Sequence, residues 1–214
     1  MRTEQTSLQD FHNTEIAFRD QSNYGLRQAY LLFKVMNNRS LVEFSKRLVN
    51  FALAIRFPVK GIIKKTIYRH FVGGSSLEDC ENTINRLARR NVLSIMDYAQ
   101  EGRETDEVFD ATCREVIRTV EFAKDHPSVP FSVFKITGVG RLDLLSKVSA
   151  NEFLTDEEQA EFKRVEERVE AIYKRGYELG VPVMVDAEHS WIQPVLDDMV
   201  MKLMARYNKE KAIV

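Results

Sequence analysis

The feature that most constrains this chain is a change of pattern at Asn91. Beyond it, short apolar runs alternate with long amphipathic segments. The runs are VLSIMD (92–97), PFSVFKIT (130–137) and VPVMVD (181–186), and KAIV (211–214) reads as the start of a fourth. Thr105 to Asp125, Leu142 to Val148, a segment from Thr155 and another ending near Tyr207 read as helices between them. Strands alternating with helices build βαβ units around a parallel sheet. Such a sheet is expected to be buried on both faces, which is why its strands read as near-continuous apolar runs. The helix from Thr155 carries its own start and stop. Thr155 and Glu158 form a capping box, and Phe162, Val165, Val169, Ile172, Gly176 and Leu179 recur at steps of three and four. Gly180 then supplies a left-handed cap. Ser190 and Gln193 read as a second capping box, with Pro194 in the first turn of the last helix.

Residues 1–90 form an N-terminal helical arm, set apart from the βα region 91–214. Tyr24 to Met36 and Leu41 to Ile55 are apolar-periodic, with a break at Asn37 to Ser40. Pro58 ends the second helix, because proline cannot continue one. Lys60 to Phe71 is a third amphipathic piece, closed by Gly73 and Gly74. Ser75 and Glu78 read as the capping box of a fourth helix that stops at Asn91.

Composition excludes several classes. The 214 residues are 44% hydrophobic and 29% charged, which suits a globular protein with a sizeable core. No apolar stretch reaches the roughly 20 residues that cross a bilayer, and the polar N-terminus resembles no secretory signal. A cytoplasmic location is therefore expected. Cys80 and Cys113 lie far apart in helical surroundings and read as reduced, structural thiols. The net charge of −1 is unevenly spread. Nine basic residues against Glu43 give Leu31 to His70 a charge of +8. Such a segment is either a solvated helix face or a contact for an anionic surface. No nucleic-acid motif accompanies it, so no nucleic-acid partner is expected.

The candidate chemistry sits where the strands end. Asp97, Lys135 and Asp186 each stand at the C-terminal end of an apolar run, the sheet edge that carries active sites in α/β proteins. A lysine inside FSVFKITG is costly unless paired or facing a polar space. With adjacent strands, Lys135 and Asp186 meet, either as a structural ion pair or as a site for a carboxylate or a cofactor. Other signals are weaker. Gly138-Val139-Gly140 is a tight turn rather than a dinucleotide fingerprint, and Gly73-Gly74 suits a loop as well as a phosphate. Glu188 and His189 lack metal-ligand spacing, so no metal is expected, and Trp191 reads as a partly buried packing residue.

Three segments together resemble the proline dehydrogenase family. They are FVGGSSLEDCENTINRLARRNVLSIMDYAQEG (71–102), FSVFKITGVGRLDLL (131–145) and VPVMVDAEHSWIQPVLDDM (181–199). The resemblance implies a (β/α)8 TIM barrel with non-covalent FAD, of which this chain holds about four strands behind the helical arm. It implies oxidation of L-proline to Δ1-pyrroline-5-carboxylate, with electrons passed to a quinone. Lys135 then lies beside the substrate carboxylate, and Asp186 beside the flavin and the substrate. The basic segment 31–70 becomes a contact to a membrane surface, possible in a homo-oligomer as in a monomer. A complete barrel needs about 250 residues. The family's later flavin-binding and substrate-clamping residues have no counterpart here, so a truncated or split form, inactive alone, is expected. The alternative is a non-catalytic assembly half that pairs with another chain. A third reading makes Lys135 a Schiff-base nucleophile.

Overall fold

The computed structural model describes residues 13–19, 21–98 and 104–214, apart from the side chains of Lys60, Ile62, Lys65 and Arg69. Residues 99–102, which end the first family-like segment, lie outside this set, as do three of the nine basic side chains of the stretch 31–70. The chain divides into two compact units, Met1–Ser75 and Ser76–Val214.

The first unit is helical: α1 (Thr14–Ala17), α2 (Asn23–Met36), α3 (Arg39–Ala54), α4 (Val59–Ile63) and α5 (Arg69–Phe71). Short polar side chains start three of these helices. Asn13 accepts from the Glu15 and Ile16 amides, Ser22 from Gly25, and Asn38 from Leu41. The break between α2 and α3 is thus only Asn37 and Asn38. Arg56, with φ of 56°, ends α3 before Pro58 is reached. The third amphipathic piece is not one regular helix, since Lys64–Tyr68 forms a π-helical turn between α4 and α5. Among the described residues only Ala52 of this unit is buried, and Phe44, Leu48, Phe51 and Ile55 are exposed.

The second unit opens with α6 (Leu77–Ala88) and continues β1 (Met96–Asp97), α7 (Asp106–Asp125), β2 (Ser132–Lys135), α8 (Leu142–Ser149), α9 (Asp156–Leu179), β3 (Val183–Asp186) and α10 (Gln193–Tyr207). The cap of α6 is Ser76, not Ser75: its hydroxyl accepts from the Asp79 amide at 3.2 Å. The expected stop holds, for Asn91 has φ of 58°. The strands form a parallel sheet in the order β1-β2-β3. They are shorter than the apolar runs, and residues 211–214 form no strand. A single bond marks where a fourth would lie: the Val183 amide donates to the Ile213 carbonyl at 2.7 Å.

Among the described residues of the second unit, one face of the sheet is covered and the other is not, where two buried faces were expected. Alternation along the strands explains the difference. Ser132, Phe134 and Val183 point toward the helices and are buried. The Ser132 and Thr119 hydroxyls pair at 2.6 Å, and Phe134 meets Tyr173 edge-to-face at 5.7 Å. Val133 and Met184 point the other way, and Met184 is 50% exposed. Gly176 lets α9 approach β3: a Cβ there would stand 2.7 Å from Val183 Cγ2 and 2.8 Å from the Val181 carbonyl oxygen. The capping box of α9 is complete, and Gly180 closes it at φ of 68°. Ile84 of α6 joins the same core as Val116, Val169, Ile172 and Leu196.

Buried Arg168 ties three elements together. Its guanidinium donates to Asp106 and Asp110 of α7 at 2.6 Å each, and to the Val139 carbonyl at 3.2 Å. The Asp106 carboxyl is held below its usual range by hydrogen bonds from Arg164 and Arg168. This network fixes the segment that leaves β2.

Candidate functional site

Lys135 is the last residue of β2 and Asp186 the last of β3, and the two are in direct register. Side chains at matched positions of parallel strands share a face, so the pair stands on the uncovered side of the sheet. Lys135 Nζ lies 3.1 Å from Asp186 Oδ2 and 3.3 Å from Glu188 Oε1. The Thr137 hydroxyl donates to Glu188 Oε2. Asp97 ends β1, and its register partner is Val133, on that same face. The three strand ends thus bring one cation and three carboxylates to one edge.

Their electrostatics are coupled. The Asp186 hydrogen bond, with help from Glu188, raises the Lys135 amine above its usual value despite some desolvation. An amine held charged in this way is the opposite of what a Schiff-base nucleophile needs. Although Asp97 is an exposed residue, partial desolvation pushes its carboxyl up, Lys135 pulls it down, and Asp186 and Glu188 push it up further. The Lys135 side chain keeps 31% exposure and Asp186 keeps 50%, so water and ligands reach both. Exposed pairs of this kind contribute only about 0–1 kcal/mol to stability.

The pairing of Lys135 with Asp186 follows the sequence expectation, and Glu188 belongs to the same constellation. Thr137 was not anticipated. No strand alternation could have placed it, because Thr137 lies in the turn beyond the end of β2. After β2 the chain makes a 3-10 turn, Ile136–Gly138, anchored by the fully buried Ile136. Gly140 serves close packing, since a Cβ there would meet Val165 Cγ2 at 2.7 Å.

The segment after β3 departs from expectation. Ser190 caps nothing, because Ser190–Ile192 is a 3-10 turn in which the Ser190 carbonyl accepts from the Gln193 amide. The helix α10 starts at Gln193, whose side chain turns to Asp197 at 2.6 Å. Trp191 is not buried. It is 58% exposed, stacks on His189 at 4.6 Å, and donates to Ser146 Oγ at 3.2 Å. Cys113 is buried, Cys80 is half-buried, and both thiols are free. Among the described residues no group of His, Cys, Asp or Glu is arranged to hold a metal. No helix among them is long and apolar enough to cross a membrane.

Known proteins share this arrangement of sequence. A protein of Pectobacterium carotovorum subsp. carotovorum named Carbapenem antibiotics biosynthesis protein CarD is 30% identical over 144 residues, which are 67% of this chain and 38% of that protein. Proline dehydrogenase 1, mitochondrial, of Dictyostelium discoideum is 23% identical over 86% of this chain and 39% of its own length. The Arabidopsis thaliana protein of the same name is 26% identical over 75% of this chain and 40% of its own length. The chain therefore spans about two fifths of the length of these relatives. The family model described as Proline dehydrogenase matches residues 80–214, which include all three strands and every member of the Lys135 cluster. With more than half of its length matched, the chain belongs to the proline dehydrogenase family.

Proposed function

We propose that this chain carries part of the site of an FAD-dependent oxidation of L-proline to Δ1-pyrroline-5-carboxylate, with a quinone as the later electron acceptor. The observation that carries the reading is the Lys135–Asp186 pair at the open C-terminal edge of the sheet. The reaction removes a hydride from the ring carbon beside nitrogen and a proton from the amine. Lys135, held as an ammonium, offers charge and N–H donors to the substrate carboxylate. That contact orients the ring, which is the part of catalysis that positioning supplies. The half-exposed carboxylate of Asp186 faces the same space, so it stands close to whatever Lys135 holds.

The residues present fit a flavin. A flat heteroaromatic ring calls for an apolar floor with polar groups at its rim. Exposed Met184 and half-buried Val133 lie on the face that carries Asp97, Lys135 and Asp186, and Asp186 would help hold the group. Bound FAD supplies the two-electron acceptor. The sheet and its flanking helices are read as one part of a (β/α) barrel wall, with helices outside and the uncovered face toward the lumen. The basic segment 31–70 is read as a peripheral contact to anionic membrane, with the protein in the cytoplasm.

The test is the visible spectrum of the purified chain after FAD is added and the excess removed by desalting. A retained flavin band that L-proline bleaches without oxygen, and that Lys135→Met leaves unbleached, supports the proposal. A retained band that proline leaves unchanged overturns it. The uncovered sheet face favours a second reading, in which another chain covers it and completes the site. No retained band points there, and supplying the C-terminal part of a relative in trans should then restore flavin binding.

A further inference from the structure

We infer that Glu188, clamped by Thr137, is a positioning residue that sets where the Lys135 ammonium stands. The inference deepens the proposed function, because it rests on Lys135 being the partner of the substrate carboxylate.

A lysine ammonium has three N–H donors on a flexible four-carbon stem. Among the described residues, Asp186 and Glu188 take two of them, at 3.1 and 3.3 Å. Two acceptors at separate tetrahedral positions fix both the nitrogen and the direction of the third N–H. Asp186 alone could not do this, since one bond leaves the ammonium free to swing about it. Glu188 needs a hold of its own, because it lies beyond the end of β3 and no strand register fixes it. Thr137 provides that hold. Its hydroxyl takes Glu188 Oε2 while Oε1 faces Lys135, so the two carboxylate oxygens are divided between two partners. Thr137 is in turn fixed by its 3-10 turn, which hangs on buried Ile136 and ends at Val139, whose carbonyl Arg168 grips. The line of support runs from the buried Arg168 to the third N–H of Lys135. Each group in it has a named partner, as a preorganised site requires.

The substitution Thr137→Val keeps the shape of the side chain and every charge in the cluster, and removes only the hydroxyl. It therefore separates positioning from direct electrostatics. The readout is the titration of the Lys135 side chain, followed by the 13Cε resonance of labelled lysine and assigned with Lys135→Arg. The full chain is used, with a thermal melt of each variant to confirm folding. In the unaltered chain the resonance should titrate above the usual lysine value. Glu188→Gln should lower that titration, and Thr137→Val should lower it in the same direction although no charge is lost. Glu188→Asp, one methylene shorter, should fall between Glu188→Gln and the unaltered chain. A Lys135 titration that Thr137→Val leaves unmoved in a folded protein overturns the inference. In flavin-loaded protein that oxidises proline, Thr137→Val should raise KM about tenfold with little change in kcat. The titration needs no flavin and no turnover. A shifted titration in a chain whose retained flavin proline does not bleach sinks the proposed reaction alone, and bleaching with an unmoved titration sinks the positioning role alone.

Discussion

Three carboxylates around one ammonium leave the cluster short of positive charge, and Asp97 carries the consequence. Its carboxyl is pushed up first by partial desolvation, then by Asp186 and Glu188, with Lys135 opposing. A carboxyl raised in the folded state binds its proton more tightly there than in the unfolded chain. That contribution to stability is full below the unfolded value of about 3.9 and is lost as pH rises through the folded value. Lys135 is raised as well, so its pairing contributes fully below about 10.4 and is lost only as pH climbs through its folded value. Across the neutral range, therefore, Lys135 holds while Asp97 strains. Asp97→Asn removes the strained charge. Melting temperatures of both proteins between about pH 3.5 and pH 7 should show the unaltered chain losing ground to the variant as pH rises. A difference that stays flat over that range would mean that neither desolvation nor the neighbouring carboxylates raise Asp97.

At the scale of elements, the contact between α9 and β3 decides where the edge of the sheet lies. Gly176 faces Val183 Cγ2 and the Val181 carbonyl oxygen, at 2.7 and 2.8 Å from where a Cβ would stand. Gly176→Ala gains about 1 kcal/mol of helix propensity. It also overpacks the contact, at a cost of about 1–3 kcal/mol. One obstacle is backbone and cannot rotate away, so the cost should win and the melting temperature should drop by several degrees. A melt that is unchanged or higher would show that β3 can slide outward. The helix itself was legible in sequence. Thr155, Glu158 and Gly180 are local signals, and each does in the structure what its residue type allows. The meeting of Lys135 and Asp186 was legible too, because a polar residue closing an apolar run has few other places to go. Two features were hidden. An apolar run reads alike whether one or both faces are covered, so the open face carrying Met184 left no trace. The Thr137 clamp depends on a 3-10 turn after β2, and short turns have weak sequence signals. Ser190 shows the reverse error: a cap pattern with the right spacing lost to a turn that used the same residues.

At the scale of the whole molecule, charge and exposed apolar surface coincide in the first unit. Leu31 to His70 carries +8, while the chain as a whole is at −1. The same stretch exposes Leu31, Phe33, Phe44, Leu48, Phe51, Ile55 and Phe57. Basic side chains interleaved with apolar ones on amphipathic helices suit the interface of an anionic bilayer, with apolar groups inserted and cations among the headgroups. Each Lys or Arg near such a surface contributes about 1 kcal/mol, an attraction that fades beyond a Debye length. Raising salt from about 0.05 M to about 0.5 M shortens that length several-fold. Binding to vesicles with a third anionic lipid should therefore weaken at least tenfold over that range, measured by co-sedimentation. The double charge reversal Lys46→Glu, Arg47→Glu should weaken it at low salt, while neutral vesicles should bind poorly at any salt. Equal binding to neutral and anionic vesicles would assign the surface to its apolar residues alone. Failure to bind either would mean that the basic face of α3 serves a protein partner or simply solvent.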